Sequence, residues 1–332
     1  MKSILLSIVA IALFTACSGK KYYEPEETSS NIELNKKSMS SSIESMNRVR
    51  GTLEDNEVIT KQGISSFKLP EGFEFLNFTD DGKVIATNYI DKILIGDRER
   101  TVKDVVVAAS RKDEKLALIY SNNSMELIDI NTDKTLFKEY LPLSLANDTR
   151  ISNPLFMGNL ILFPSLNGKV LILSSATNEV VRNISVETDS EFKNIISLDI
   201  EKKSESLIVA NPNKIVSISA RDVISKDYDI RDLIVKDGYI YIATVDGHII
   251  KLTPNLEEVA KRKYKYAKFH ALAYGSSLYA VESQGFLINI SDDFKTDTIY
   301  EFSFDNEKRL IAIDNKIYFN SDYITLPYKN SG

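Results

Sequence analysis

The sequence predicts an all-β fold, a single β-propeller, on three observations. A unit of two apolar runs across a short polar turn recurs between residues 73 and 327, with its second run anchored at Val84, Leu116, Leu160, Leu207, Ile240, Leu278 and Ile317. These anchors stand roughly 30 to 50 residues apart, the period of four-stranded propeller blades. The turns that follow the anchored runs carry residues tolerant of positive φ: Asn122-Asn123, Asn167-Gly168, Asn211-Pro212-Asn213, Asp246-Gly247 and Gln284-Gly285, which are hairpin signals. No copy can bury both of its apolar faces alone, so the copies must stack. Seven copies predict seven four-stranded blades, with eight as the alternative.

Three regions follow in order: a signal peptide over 1–16, a flexible tether over 17–60 and the propeller over 61–328. Met1-Lys2 precedes an apolar run from Ile4 to Phe14, about half of the roughly 20 residues a spanning helix needs. The run therefore reads as an export signal. It ends in Phe14-Thr15-Ala16-Cys17, and Cys17 is the chain's one cysteine, so no internal disulfide framework exists. The tetrapeptide resembles a bacterial lipobox, with Phe14 where Leu is usual. The resemblance implies that Cys17 is acylated and becomes the first residue of the mature chain. Ser18 follows it, where a signal for inner-membrane retention would place Asp; this points to the outer membrane.

Residues 18–30 are polar, with Lys20-Lys21, Glu24, Glu26, Glu27 and a Ser/Thr cluster, a composition that reads as tether. Met39, Ile43 and Met46 are spaced for a short helix within 31–49, weakened by Ser38, Ser40, Ser41 and Ser42. Beyond residue 63 the strands follow the repeat. The second strands are clearest, for example Lys115–Tyr120 and Tyr239–Thr244. The third strands follow their turns, as in Lys214–Ile218 and His248–Leu252. The last copy ends at Pro327-Tyr328 without room for a fourth strand. The run Ile64–Leu69 has the right character to supply it, closing the ring through an N-terminal strand and removing an open edge.

One stretch is more specific. Leu127-Ile128-Asp129-Ile130-Asn131-Thr132-Asp133-Lys134-Thr135-Leu136-Phe137 resembles the repeat of pyrroloquinoline-quinone-type propellers at Asp129, Thr132 and Lys134. Asp133 stands where that repeat has Gly, and Phe137 where it has Trp. The strand, Asp-Gly-like turn and strand that precede this signature in the family match 159–173 around Asn167-Gly168 and 238–252 around Asp246-Gly247. The chain has no Trp, so the tryptophan docking of quinone enzymes is missing. An exported lipoprotein built of such repeats resembles the BamB family. That resemblance implies a non-catalytic periplasmic scaffold, without cofactor, serving outer-membrane β-barrel assembly through a protein partner.

Candidate chemistry is sparse. His248 and His270 have no metal-ligand spacing. His248 follows Asp246-Gly247, so an Asp–His pair is conceivable, with a strand residue past a hairpin the plainer reading; His270 reads as a satisfied core imidazole. Asp80-Asp81 and Asp292-Asp293 read as turn residues. Phosphate-cradling and nucleophile-elbow motifs are absent from the sequence. The basic run 261–268 alternates lysines with Tyr264 and Tyr266 and reads as an outer strand guarded by charge; the alternatives are a site for single-stranded nucleic acid or for anionic lipid headgroups. A net charge of −6 argues against nucleic acid as a partner. The sequence thus predicts a scaffold held on the outer membrane by lipid, facing the periplasm. The alternatives are a quinone-dependent or other enzyme using the propeller channel, or a surface-exposed ligand-binding lipoprotein.

Overall fold

A computed structural model describes residues 21–29, 35–47, 50–186 and 188–328. Cys17 and the signal segment lie outside the described residues. Eight four-stranded antiparallel sheets follow one another: blade 1 over 43–68, blade 2 over 74–101, blade 3 over 106–140, blade 4 over 155–185, blade 5 over 197–227, blade 6 over 230–263 and blade 7 over 269–301. Blade 8 takes three strands from 310–325 and its fourth from Asn35–Ser38, paired antiparallel with Asp322–Thr325. First strands of neighbouring blades approach one another around a central channel, and fourth strands lie outside. Because all pairings are antiparallel, the second-to-third turns and the blade-to-blade connections share one face, called upper here. The first-to-second and third-to-fourth turns share the lower face.

The core explains why the ring must be complete. Buried apolar side chains form eight clusters, one at every seam between neighbouring blades, including the seam between blades 8 and 1. In the strand Lys115–Tyr120, Leu116, Leu118 and Tyr120 pack toward blade 2, while Ala117 and Ile119 pack toward blade 4. The period of two sends alternate residues to opposite faces, and both faces are covered. Each fully buried Leu or Ile contributes about 1.5–3 kcal/mol, so a blade without its neighbours would forfeit the burial of two faces.

The upper turns carry the positive φ values expected at Asn123 (63°), Gly168 (85°), Gly247 (89°) and Gly285 (92°). At Gly247 a Cβ would also stand 2.6 Å from the Tyr264 carbonyl oxygen. The Tyr264 amide donates to the Gly247 carbonyl at 2.9 Å. The same bond recurs from Val186 to Gly168 and from Phe302 to Gly285, at 2.7 Å each. Glycine there lets each upper turn tuck beneath the chain leaving its blade.

Three expectations are corrected. The blade number is eight, the stated alternative, and not the seven that the copies favour. The stretch taken as tether up to residue 60 contains Asn35–Ser38 and three strands of blade 1, Ile43–Met46, Gly51–Leu53 and Glu57–Thr60; no helix forms over its described residues. Ile64–Leu69 does not close the last blade: Gly63–Lys68 is the outer strand of blade 1. An N-terminal strand does close the ring, but it is Asn35–Ser38. The cause is common to all three. Blade 1 strands are three to six residues long, yet Leu53, Val58 and Ile59 are buried through blades 8 and 2. Asn35–Ser38 is exposed and without apolar residues; backbone pairing with Asp322–Thr325 places it, joined by contacts of Lys36 and Ser38 with Asp322.

At the seam between blades 8 and 1 the Tyr318 ring stacks on Tyr323 (centroids 5.3 Å apart), and its hydroxyl is buried without a hydrogen-bond partner. Leaving a buried hydroxyl unsatisfied costs about 1–3 kcal/mol. Tyr318→Phe is therefore expected to raise stability by about 1 kcal/mol, measured as an upward shift of the thermal midpoint.

Candidate protein-binding loop and channel

The connection between blades 3 and 4 runs from Leu141 to Pro154, the longest blade-to-blade link among the described residues. Its two halves behave differently. In the first half, Leu143 is 68% exposed and Leu145 fully exposed, next to an exposed Tyr140. Large apolar side chains standing together in water are uncommon on a surface that has no partner.

The loop is held from beneath. Asn123 is fully buried; its Nδ2 donates to the Pro142 carbonyl at 2.7 Å, and its Oδ1 accepts the Leu166 amide at 2.8 Å. One side chain thus joins the upper turn of blade 3, the root of the loop and blade 4. In the second half, the Asp148 amide donates to Asn194 Oδ1 at 2.7 Å, and Asn194 Nδ2 returns a bond to the Asp148 carbonyl at 3.0 Å. Arg150 clamps Asp148 through Nε (2.8 Å) and Nη2 (2.5 Å), and its Nη1 reaches the Arg231 carbonyl of blade 6 at 2.6 Å. Asn153 Oδ1 accepts the Ala109 amide at 3.0 Å, and Ser110 Oγ donates to the Pro154 carbonyl at 2.6 Å. The link therefore crosses the channel on fixed supports and leaves its leucines bare on the upper face.

Burial works to raise the Asp148 carboxyl, but the Arg150 guanidinium outweighs it and holds the group below the usual carboxylate range. A depressed folded pKa means that this support is present above the unfolded value of about 4 and is lost as pH falls through the lower folded value. Asp148→Asn is expected to speed amide hydrogen exchange over 143–150 at neutral pH. Below the folded pKa of Asp148, variant and parent should exchange alike.

The channel holds a cavity of about 310 Å³ lined by Lys61, Asn77, Asp199, Lys236, Tyr274 and Asp314, among others. Two cationic and two anionic groups face it, so it has no dominant sign. Among the described residues no three His, Cys, Asp or Glu side chains gather as a metal site.

His248 Nδ1 does lie 2.9 Å from Asp246 Oδ2, but Lys263 Nζ approaches the same oxygen at 3.1 Å and Thr244 Oγ1 donates to Asp246 Oδ1 at 2.5 Å. The pair thus closes a hairpin turn. His270 is half-buried; desolvation and the nearby Arg231 lower its pKa, and its ring meets Phe304 edge-on at 5.4 Å. Asp81 and Asp293 close turns with Thr79 and Ser291. The basic run is an outer strand only as far as Lys263; Tyr264 turns inward to donate to Asp297 Oδ2 at 2.8 Å. Sequence reasoning missed Leu143 and Leu145. The available signal was Leu141-Pro142-Leu143-Ser144-Leu145, an apolar run with proline and no hairpin partner.

Fold and loop together define an eight-bladed, BamB-like β-propeller with an ordered apolar loop on one face. No family model matches the chain. Among solved structures it is similar to BamB from Moraxella catarrhalis, with a TM-score of 0.66, 13% identity, and coverage of 86% of this chain and 98% of that one. It is also similar to Saccharomyces cerevisiae Sqt1, with a TM-score of 0.60, 12% identity, and coverage of 90% and 99%. Identities this low speak for the fold alone. Among curated proteins the chain is similar to the plasminogen-binding protein PgbB from two strains of Helicobacter pylori. It is 25% identical to each, over 97% of this chain and 71% and 70% of the relatives.

Proposed function

We propose that this protein is a non-catalytic scaffold, held by lipid at Cys17 on the periplasmic side of the outer membrane, that grips a protein partner through residues 140–146 and assists β-barrel protein assembly. The observation that carries the reading is the pair of exposed leucines on a rigid base. A partner that covers Leu143 and Leu145 meets a loop already ordered by Asn123, Asp148 and Arg150, so little ordering entropy is lost on binding. The BamB-like fold and the lipobox-like Phe14–Cys17 support the membrane setting and the assembly role.

A second reading has its own observation. Similarity to PgbB extends over 97% of the chain, which favours a lipoprotein that binds an extracellular protein such as plasminogen. A photo-crosslinking amino acid at position 145, expressed in cells of the source organism, separates the two. Crosslinks to a barrel-assembly component support the first reading. Their absence, together with plasminogen capture by intact cells and removal of the propeller by added protease, overturns it in favour of the second.

A further inference from the structure

We propose that the upper-face corner between blades 6 and 7 rests on the surface of the bilayer that holds the anchor, with phospholipid headgroups against Tyr22, Tyr266 and the lysines beside them. The proposal rests on the acylation of Cys17 and specifies how the anchored propeller is oriented.

The first argument is length. Tyr23 is only 7% exposed. Its ring meets Tyr264 edge-on at 6.0 Å and Phe286 edge-on at 5.7 Å. Tyr264 begins the connection from blade 6 to blade 7 and Phe286 follows the upper turn of blade 7, so Tyr23 is wedged at the upper rim of that seam. The Ser29 amide donates to the Ile299 carbonyl at 2.8 Å on the outer strand of blade 7. The chain is thus fastened at Tyr23 and again at Ser29. Fully extended, the stretch from Cys17 to Tyr23 spans about 20 Å at most. An anchor on Cys17 cannot let this corner stand farther than that from the lipid.

The second argument is what the corner displays. Tyr22, Val245 and Tyr266 are exposed there. Tyr266 is held outward by a positive φ of 66°, between the buried Tyr264 and Ala267. The ammonium groups of Lys21 and Lys265 lie 5.5 and 5.2 Å from the centre of its ring, and Lys268 is exposed beside them. Tyrosine with a ring of lysines suits the boundary where acyl chains give way to headgroups. Of the acidic groups at this seam, Asp246 is engaged by Lys263 and His248, Asp297 by Arg262 at 2.9 Å, and the buried Glu282 accepts the Lys268 amide at 3.1 Å, while Glu301, opposite Phe286, is exposed. Glu24, Glu26 and Glu27 lie between Tyr23 and the bridge at Ser29, along the edge of blade 7. Lys21, Lys265 and Lys268 thus gather around Tyr266 on a chain of net charge −6.

The composition provides a clean test. The chain has no Trp and only one Cys. The chain from Cys17 onward, which keeps every described residue, is coupled through its thiol to a maleimide lipid in phosphatidylcholine vesicles, with and without phosphatidylglycerol. One variant carries Tyr266→Trp; a second carries Met46→Trp, exposed at the lower end of blade 1. Each variant then has a single indole, so its emission reports one position. With brominated lipid, the Tyr266→Trp variant is expected to lose most of its emission and the Met46→Trp variant to keep its own. Adding Lys21→Glu and Lys265→Glu to the Tyr266→Trp variant should restore its signal in the anionic vesicles. Unquenched emission from position 266 in these protein-free vesicles overturns the proposal and assigns the tyrosines to a protein partner. The anchor is read separately, by the mass of Cys17-containing peptide from cells; an unmodified Cys17 overturns the proposal by that route, whatever the quenching.

Discussion

Leu143→Ser with Leu145→Ser is expected to weaken capture of the protein partner by about 100-fold while leaving the thermal midpoint within a degree or two. Both side chains already face water in the folded protein, so replacing them changes folded and unfolded states almost equally. On binding, each would bury most of its apolar area, worth about 1.5–3 kcal/mol, and two such losses at the lower end of that range amount to about a hundredfold in affinity. Scattered exposed leucines would give small effects; two on one stiff loop are expected to act together because little ordering entropy is lost when they are covered. Asn123→Ala provides the contrast. It leaves the Leu166 amide and the Pro142 carbonyl without their shared partner and is expected to lower both stability and capture. The measurement is co-purification and crosslinking from solubilised membranes, beside calorimetry of the purified variants. Undiminished capture by the double leucine variant would sink the proposed docking loop.

Removal of residues 21–39 is expected to lower the thermal midpoint by about 10 °C or more and to promote self-association. The deletion takes away the strand Asn35–Ser38, the buried Met39 and the wedge at Tyr23. Met39 alone accounts for about 1.5–3 kcal/mol of burial, and the strand pairing adds about 1 kcal/mol per backbone hydrogen bond. The ion pair of Lys36 with Asp322 (2.8 Å) is largely exposed on the lysine side and adds little. With the Tyr23 wedge the sum is about 7 kcal/mol or more, and at about 2.1 cal/mol/K of unfolding entropy per residue each kcal/mol lowers the midpoint of a chain this long by about 1.5 °C. The second consequence is topological. Without its fourth strand, blade 8 presents Asp322–Thr325 as an open edge that another copy can pair with. Scanning calorimetry and light scattering read both effects. A truncated chain with the parent's scattering mass and an unchanged midpoint would show that the N-terminal strand does not close the ring energetically.

The repeat was legible because the middle strands of each blade are buried on both faces. Strands such as Lys115–Tyr120 and Tyr239–Thr244 must be apolar along their length, and their turns need residues at positive φ; both demands leave marks in the amino-acid order. Blade 1 left weaker marks. Its inner strands are short, and the residues that cover Leu53 and Ile59 include Ile311, Ile313, Tyr318 and Tyr323, far away in the chain. The candidate site was less legible than the fold. Leu143 and Leu145 look like core residues by type, and only their lack of any covering neighbour distinguishes them.

By itself the amino-acid order determined that this is an all-β ring of stacked sheets, because strand periodicity and turn chemistry are local properties that every blade repeats. It also carried the lipobox-like Cys17, since a short linear motif needs no fold to be read. Tertiary structure alone decided that there are eight blades, that Asn35–Ser38 closes the ring, and that Tyr23 shortens the leash behind Cys17. The physical reason is that each of these depends on pairing between residues hundreds of positions apart or on a seam shared by two blades. A polar strand such as Asn35–Ser38 takes its place from the backbone groups of Asp322–Thr325, and no side chain in it announces that partner.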